Sequence, residues 1–271
     1  MSRLVCVATV LVCFAAGEAA ADSLVPPVHS LSCGAPNRGR LAHGVKIPAS
    51  GEGFVVPARW RKRNHLYGTQ ELVSLIERAA RKVVHEYPGS LLGVSDLSQR
   101  GGGTLYNHAS HQSGRDADLH YYAMDRQHRP FRPDDNMPYY MYSGRSVWAR
   151  ATGRIPERFF DLKRNWAFVK VLLADRTATV THIFMSWRIR EWLLKYAKAQ
   201  GEPAALIKRA AKIIKPQREH NDHMHVRIAC PGYGLHLGRC RQENWPAPRR
   251  ARRKKHVRLH YWLPCPRNNN S

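Results

Sequence analysis

Two short segments rich in histidine and aspartate lie far apart in this chain, and they constrain its fold more than any other feature. The first is residues 108–118 and the second is residues 220–227. The second contains His223 and His225, whose side chains project from one face if the segment is a β-strand. Imidazole and carboxylate are ligands of catalytic zinc, which takes three protein ligands and keeps one position open for water. Because each segment alone is too small, we expect a single site assembled by folding.

The spacing within the two segments predicts which side chains face the metal ion. Asp116 and Asp118 share one face of a predicted strand, and His111 can fold back towards that strand across a Ser-Gly turn. His225 would come from a neighbouring strand, so we predict one Zn²⁺ per chain, held by His111, Asp118 and His225. His223 lies one strand step from His225 on the same face, where it can act as the general base for the attacking water.

Chance is the alternative explanation of these patterns. The chain has 15 histidines, and a single His-x-His pair is weak evidence for a metal site. The joint presence of a His-x6-Asp spacing before one predicted strand and a His-x-His pair on a later strand is much stronger evidence.

The first residues have the pattern of a secretory signal peptide. Arg3 gives a positive start, residues 4–16 are apolar, and Ala19-Ala20-Ala21 matches a small-residue cleavage site. We therefore expect residues 1–21 to be removed, so that the mature chain begins at Asp22. An N-terminal membrane anchor is the alternative, although this apolar run is too short to span a bilayer and no later run is long enough.

Four cysteines follow the predicted signal peptide, and they are Cys33, Cys230, Cys240 and Cys265. An even number of cysteines in an exported chain predicts disulfides. Four cysteines allow three pairings, of which we favour Cys230–Cys240 as a short local loop and Cys33–Cys265 as a link between the ends of the domain. Metal binding by the cysteines is the alternative, but the sequence has no Cys-x-x-Cys spacing.

The formal net charge of +24 predicts a polyanionic partner or surface. Nucleic acid, anionic lipid and the bacterial wall all qualify, and export argues against nucleic acid. The basic residues are spread along the chain, and the densest run, residues 249–255, is most often a solvated basic face. We expect no nucleic-acid partner and no stable membrane insertion.

Hydrophobic periodicity predicts an α+β fold, a single domain with a central antiparallel sheet flanked by helices and with the zinc site on the sheet. The predicted helices are residues 70–86, 161–174, 187–199 and 203–214, and the predicted strands are residues 91–95, 116–122, 180–185 and 223–228. A long loop is expected over residues 125–154. The expected divisions are an extended N-terminal arm (22–64), a metallopeptidase domain (65–232) and a basic C-terminal segment tied back by a disulfide (233–271).

Both segments resemble the signatures of a known family. Residues 108–118 read His-Ala-Ser-His-Gln-Ser-Gly-Arg-Asp-Ala-Asp, and residues 220–231 read His-Asn-Asp-His-Met-His-Val-Arg-Ile-Ala-Cys-Pro. In residue order and separation they look like those of the penicillin-insensitive murein endopeptidases. That family belongs to the group of lysostaphin-type, D-Ala-D-Ala-type and hedgehog-like zinc peptidases. The resemblance spans residues 65–232 of this chain, with weaker support in both flanks.

The resemblance implies the same three zinc ligands and the same general base, and it adds His108 and His220 as further active-site imidazoles. It implies hydrolysis of D-alanyl–meso-diaminopimelyl cross-links in peptidoglycan, a periplasmic location, and insensitivity to β-lactams because no nucleophilic serine is available for acylation. The family often carries three disulfides, whereas only two are possible here. In the D-Ala-D-Ala dipeptidase branch a catalytic glutamate stands at the offset of Asp222, which therefore remains a minor alternative for the base.

Other functions remain open at this stage. A zinc D,D-carboxypeptidase or dipeptidase on the same fold would trim free stem peptides rather than cut cross-links. A non-catalytic wall-binding module would have kept the fold alone, and the presence of His223, His108 and His220 argues against it. A secreted toxin acting on anionic membranes would need a long amphipathic cationic helix, which the sequence does not contain. The sequence does not indicate the oligomeric state.

Overall fold

The computed structural model describes residues 29–140, 144–149, 153–232, 239–242 and 265. The predicted signal peptide (1–21) and the densest basic run (249–255) lie outside the described residues. The helices are α1 (Ala58–Arg63), α2 (Gln70–Glu86), α3 (Leu162–Ala174), α4 (Trp187–Ala199) and α5 (Ala204–Ile213). The strands are β1 (Leu31–Ala35), β2 (Arg38–Ala42), β3 (Val45–Lys46), β4 (Ser50–Gly51), β5 (Phe54–Val55), β6 (Tyr67–Gly68), β7 (Leu92–Gly93), β8 (Asp116–His120), β9 (Ala123–Met124), β10 (Arg145–Ala149), β11 (Gly153–Phe160), β12 (Val180–Met185), β13 (Ile214–Pro216) and β14 (His223–Ile228).

A four-stranded sheet with the strand order β13-β12-β14-β8 lies at the centre of the fold. Strands β12, β14 and β8 are antiparallel neighbours, and β13 adds a parallel edge. Strand β13 runs parallel to β12 because α4 and α5 lie between them in the chain and form the crossover that a parallel pair requires. The predicted α+β fold with an antiparallel central sheet is confirmed, with this one parallel edge pair.

Helices α2, α3 and α4 begin where side chains cap their first turns. At the start of α2 the Thr69 side chain accepts a hydrogen bond from the Leu72 N–H, and the apolar stripe of the helix is buried. Helix α3 begins one residue after its predicted start, because the Asp161 side chain is the cap and accepts from the Arg164 N–H at 3.0 Å. The predicted bounds of α2, β12, α4 and β14 agree with the structure at both ends.

One apolar core joins the N-terminal region to the rest of the chain. Residues 31–63 contain β1 to β5 and α1. Ile47, Phe54, Val56 and Trp60 from this region are buried in the same core as side chains of α2, α3 and the central sheet. Residues on both sides of position 64 therefore pack together as a single domain.

The prediction of an uninterrupted loop over residues 125–154 is wrong at its C-terminal end. Strands β10 and β11 pair there in antiparallel fashion, and β11 also pairs with β9. The alternation that marks a strand is hidden in β11 because one inward position holds a cation. Arg158 is 2% exposed and forms an ion pair with Asp134. A buried arginine reads as a loop residue when only hydrophobicity is considered.

Both predicted disulfides are present in the structure. Cys33 is joined to Cys265 and Cys230 is joined to Cys240. The two bridges span 232 and 10 positions of the sequence, so one closes almost the whole described chain and the other closes a short turn. In the described part of the chain, the helices are too short or too polar to cross a bilayer.

Candidate metal centre

The register of the central sheet brings the two predicted segments together. Strands β8 and β14 are antiparallel neighbours, and His225 lies opposite Asp118. The His223 Nε2 and the His225 Nδ1 each lie 3.5 Å from the Asp118 Oδ1. Asp118 is buried, and it is the point on which the two β14 imidazoles converge.

His111 reaches the same carboxylate from the loop before β8. Its backbone is left-handed, with a φ of 65°, and its N–H donates to the Asp116 Oδ2 at 3.3 Å. This backbone conformation is uncommon for a residue with a side chain, so the contact helps to hold it. The ring Nδ1 donates to the Leu97 carbonyl oxygen at 2.7 Å. In the neutral ring, that hydrogen bond fixes the tautomer and leaves Nε2, which lies 3.2 Å from the Asp118 Oδ1, as an acceptor.

A second buried carboxylate, Asp116, fixes the orientation of His225. The Asp116 Oδ1 lies 2.8 Å from the His225 Nε2 and accepts from the Arg227 Nε at 2.6 Å. The His225 Nε2 therefore carries the proton, and Nδ1 is the nitrogen that faces Asp118. A carboxylate on the outer nitrogen of an imidazole fixes the tautomer and ring orientation of histidines that bind metals.

Two further histidines show the same arrangement. The His223 Nδ1 lies 2.7 Å from the Asp222 Oδ1, which leaves Nε2 directed at Asp118. The His108 Nε2 lies 3.3 Å from the Asp96 Oδ2, and its Nδ1 lies 3.5 Å from the Asp118 Oδ2. Each ring thus has one nitrogen beside an outer carboxylate and the other directed at the central one.

His220 completes the group of predicted imidazoles. Its Nδ1 lies 3.0 Å from the Arg218 carbonyl oxygen. Its ring centroid lies 4.7 Å from that of His223 and 5.9 Å from that of His225. The structure therefore brings all the predicted site residues into one cluster: His108, His111, Asp118, His220, His223 and His225.

The geometry of this cluster fits a cation. Within the described residues, the His111 Nε2 and the Asp118 Oδ1 are buried without a hydrogen-bond partner, although they lie 3.2 Å apart. Two acceptor atoms at this distance repel each other unless a proton or a metal ion lies between them. His108, His111 and Asp118 each offer a ligand atom, and these atoms lie within 4.8 Å of one another. Imidazole nitrogen and carboxylate oxygen together suit Zn²⁺.

Burial and neighbouring charges together shift the pKa values of the cluster. For His111, burial alone would lower the pKa, but the Asp118 and Asp116 carboxylates outweigh it and raise the pKa to about 9. For His225, burial prevails and lowers the pKa to about 4. Burial would raise the pKa of Asp118, but His111 and His223 hold it well below its usual range. Asp118 is therefore a carboxylate at neutral pH, as a metal ligand must be.

The cluster lies in a cleft of ≈ 680 Å³. Trp60, Met137 and Phe184 supply apolar parts of its wall, and Arg59 and Arg63 from α1 supply basic parts. A cleft of this size accommodates a small molecule or a short segment of a polymer.

Comparison with known proteins identifies the family. The family model described as penicillin-insensitive murein endopeptidase matches residues 32–269. The chain belongs to this family. The match extends on both sides beyond residues 65–232, where the sequence resemblance was placed, and it takes in β1, β2 and all four cysteines of the two disulfides.

Two relatives in this endopeptidase family illustrate the degree of similarity. The penicillin-insensitive murein endopeptidase of Haemophilus influenzae is 29% identical over 199 residues, which cover 73% of this chain and 63% of that protein. The protein of the same name from Escherichia coli O1:K1 is 24% identical over 234 residues, which cover 82% of this chain and 73% of that protein. The aligned part of this chain thus spans slightly less than two thirds of the Haemophilus relative.

Sequence reasoning missed an outer group of residues beside the histidine cluster. Asp96 is 3% exposed, and its carboxylate lies 3.0 Å from the Arg63 Nη1 and 3.3 Å from the His65 Nδ1, besides its contact with His108. Asp96 is a lone carboxylate after a short predicted strand, and His65 has no motif around it. Only the folded chain brings them together, since Asp96 follows β7 whereas His65 follows α1.

Proposed function

We propose that this protein is an exported zinc endopeptidase that hydrolyses D-alanyl–meso-diaminopimelyl cross-links in peptidoglycan. The observation that carries the proposal is the convergence of buried ligand-type atoms, above all the His111 Nε2 and the Asp118 Oδ1, which face each other at 3.2 Å. Membership of the murein endopeptidase family supports peptidoglycan as the substrate. The net charge of +24 suits an enzyme that is held near an anionic wall polymer.

The zinc ligands in this proposal are the His111 Nε2, the Asp118 Oδ1 and the His225 Nδ1. The Leu97 carbonyl and the Asp116 carboxylate occupy the other ring nitrogens of the two histidines, so that a metal ion would meet the His225 Nδ1 directly and would displace a proton from the His111 Nε2. A zinc ion bound there would supply a water of lowered pKa and would polarise the scissile carbonyl.

His223 is the general base in this proposal. Its Nδ1–H donates to Asp222, which keeps Nε2 free to accept a proton from the attacking water. Burial alone would lower the pKa of His223, but the carboxylates of Asp118 and Asp222 raise it, so the ring is a stronger proton acceptor than an isolated buried imidazole. The same Nε2 can then deliver the proton to the leaving amine. Asp222 is placed to orient the ring rather than to replace it.

His108 and His220 are the two remaining histidines of the cluster. The Asp96 carboxylate holds the His108 Nε2, and the Arg218 carbonyl holds the His220 Nδ1. The other nitrogen of His108 faces Asp118, and the His220 ring packs beside that of His223. We assign them to the orientation of substrate and water beside the base.

The proposed location is the periplasm, reached through removal of residues 1–21. Two disulfides, Cys33–Cys265 and Cys230–Cys240, suit an oxidising compartment outside the cytoplasm. Peptidoglycan is the proposed partner in that compartment.

Digestion of purified cross-linked muropeptide dimers, followed by mass analysis of the products, tests the proposal. Monomers are the expected product, with the activity lost on treatment with a metal chelator and unaffected by β-lactams. Loss of a terminal D-alanine without monomer formation would instead identify a carboxypeptidase. Binding of dimers without any cleavage by zinc-loaded protein would identify a wall-binding module.

A further inference from the structure

Helix α1 presents two cations to the cleft that contains the histidine cluster. Arg59 and Arg63 both line the cleft, as expected for residues four positions apart on one helical face. Between them, the side chain of Trp60 is buried in the core and its ring lies 4.8 Å from that of His120, next to the β8 residues of the site. Trp60 therefore packs the helix against the sheet, and this contact fixes the backbone positions of the two arginines.

The guanidinium of Arg59 has no carboxylate partner within the described residues. The nearby Asp135 carboxylate accepts from the backbone N–H of Arg59 at 2.7 Å, not from its side chain. The Arg59 guanidinium lies over the ring of Trp60, 5.7 Å from the centroid. An arginine with five donors in a cleft, lying against an aromatic ring, is suited to bind a carboxylate in a bidentate manner.

Arg63 connects this position to the reacting centre. Its Nη1 lies 3.0 Å from the Asp96 carboxylate, and its side chain is still 34% exposed. Asp96 lies 3.3 Å from the His108 Nε2, and the His108 Nδ1 lies 3.5 Å from Asp118. Asp96 and His108 therefore link Arg63 to the central carboxylate. Arg63 also lines the cleft that contains the histidine cluster.

The other acids of the cleft do not neutralise this pair. Asp118 and Asp222 are directed at imidazoles. Glu219 follows β13, at the opposite edge of the sheet from β8, and it has no ion pair with either arginine. Asp96 already pairs with Arg63, so Arg59 is the α1 guanidinium for which the described residues show no carboxylate partner.

We propose that Arg59 and Arg63 form a carboxylate-binding subsite, which holds the free carboxylate next to the scissile amide. The proposal rests on the proposed endopeptidase function. In a D-alanyl–meso-diaminopimelyl cross-link, the carbon that bears the leaving amine also bears a carboxylate. Binding of this group by the two guanidiniums positions the amide beside the cluster, and it makes the enzyme select cross-links in which that carboxyl is free over those in which it is amidated.

The test pairs two substrates with matched variants. The substrates are tetrapeptide dimers that differ only in amidation of that one carboxyl. Wild-type protein should cleave the free-acid dimer with a kcat/KM about tenfold or more above that of the amidated dimer. Arg59→Gln should lower kcat/KM for the free acid by a similar factor and leave the amidated dimer almost unchanged. Arg63→Lys, which keeps the charge beside Asp96, should retain more of the preference than Arg63→Gln.

Lys62→Gln is the matched control, because Lys62 is an exposed cation of the same helix that does not line the cleft. It should keep the wild-type preference. An equal loss for both substrates in Arg59→Gln, or a preference that survives in both Arg59→Gln and Arg63→Gln, would overturn the subsite.

A binding measurement separates this inference from the proposed function. Fluorescence anisotropy with zinc-free protein and labelled stem peptides, with that carboxyl free or amidated, should give tighter binding of the free acid by wild type than by Arg59→Gln. If wild type cleaves neither dimer, the endopeptidase proposal fails, while the same binding difference still supports the subsite. Equal binding of both peptides by wild type contradicts the subsite, whatever the activity.

Discussion

His223 and His225 stand two residues apart on β14, yet they turn different ring nitrogens towards Asp118. The outer carboxylates explain the difference, since Asp222 holds the Nδ1 of His223 and Asp116 holds the Nε2 of His225. His223 is also the more exposed side chain, at 17% against 9%. A base must reach water and substrate, whereas a ligand is best enclosed, so the two positions suit the two proposed roles.

We therefore predict that His225→Ala loses zinc, whereas His223→Ala keeps zinc and loses turnover by about 10²–10⁴-fold, the usual effect of removing a general base. Zinc content by elemental analysis and cleavage of muropeptide dimers should be measured on both variants. Near-normal activity in His223→Ala would move the base elsewhere, with Asp222 as the first candidate. Loss of zinc from His223→Ala but not from His225→Ala would mean that the roles are reversed.

Asp116 is a buried carboxylate that contacts two of the proposed zinc ligands. Its carboxylate holds His225 through the ring and His111 through the backbone N–H, so it supports two proposed ligands at once. Asp116→Asn should weaken zinc affinity by about 10–100-fold, measured by competition with a chromophoric chelator on protein shown to be folded by circular dichroism. Asp125→Asn, which alters a carboxylate in a turn outside the cleft, is the control. Unchanged affinity in Asp116→Asn would show that these contacts do not position the ligands.

At the scale of elements, one ion pair fastens α2 to the turn after α3. The Arg78 Nε and Nη2 donate to the two oxygens of Asp175, and the Ala178 N–H also donates to this carboxylate at 2.8 Å. Burial alone would raise the pKa of Asp175, but these donors lower it to about 2. A carboxyl with a lowered pKa in the folded state stabilises the fold above its unfolded pKa, and this contribution disappears as the pH falls.

Asp175→Asn should therefore lower the free energy of unfolding at pH 7 by about 1–2 kcal/mol. The wild-type protein should lose the contribution of Asp175 between pH values of about 4 and 2, and the variant should show a shallower loss over that range. Urea unfolding at several pH values measures both effects. Glu191→Gln removes the exposed Glu191–Lys195 pair on α4 and should change stability by less than about 0.5 kcal/mol. An equal effect of the two substitutions would contradict the argument.

Local sequence signals determine which helices and strands could be predicted from the sequence. Helix α2 and strands β12 and β14 carry their own periodicity and end signals, so their bounds could be predicted from local sequence. The two histidine segments could be paired because each contains ligand-type residues at strand spacing. Strands β10 and β11 could not be predicted, because the buried Arg158 of β11 depends on an ion pair with Asp134, 24 residues away. The group around Asp96 depends likewise on contacts between separate parts of the chain, which no local pattern encodes.

At the scale of the whole molecule, two disulfides constrain the chain to very different degrees. The Cys33–Cys265 bridge packs beside Leu31 and Ala42 and spans 232 positions, whereas Cys230–Cys240 spans 10. In the chain-entropy model a longer closed loop removes more entropy from the unfolded state, which corresponds to about 5 kcal/mol for the first bridge and about 3 kcal/mol for the second.

Replacing Cys33 and Cys265 together by serine should therefore destabilise the protein more than replacing Cys230 and Cys240. Guanidinium unfolding of the two double variants, with the remaining bridge kept oxidised, measures the difference. A larger loss for the short bridge would show that local packing around β14, rather than closure of the chain, dominates their contribution.

The proposed function depends on a metal ion held between two segments that only the folded sheet brings together. The most direct measurement is the zinc content of the purified protein and of its His111→Ala variant, by native mass spectrometry. We predict about one zinc ion per wild-type chain, and a folded His111→Ala protein without zinc and without cleavage of muropeptide dimers. Full zinc occupancy in His111→Ala, or an active wild-type protein that carries no metal, would contradict the proposed function.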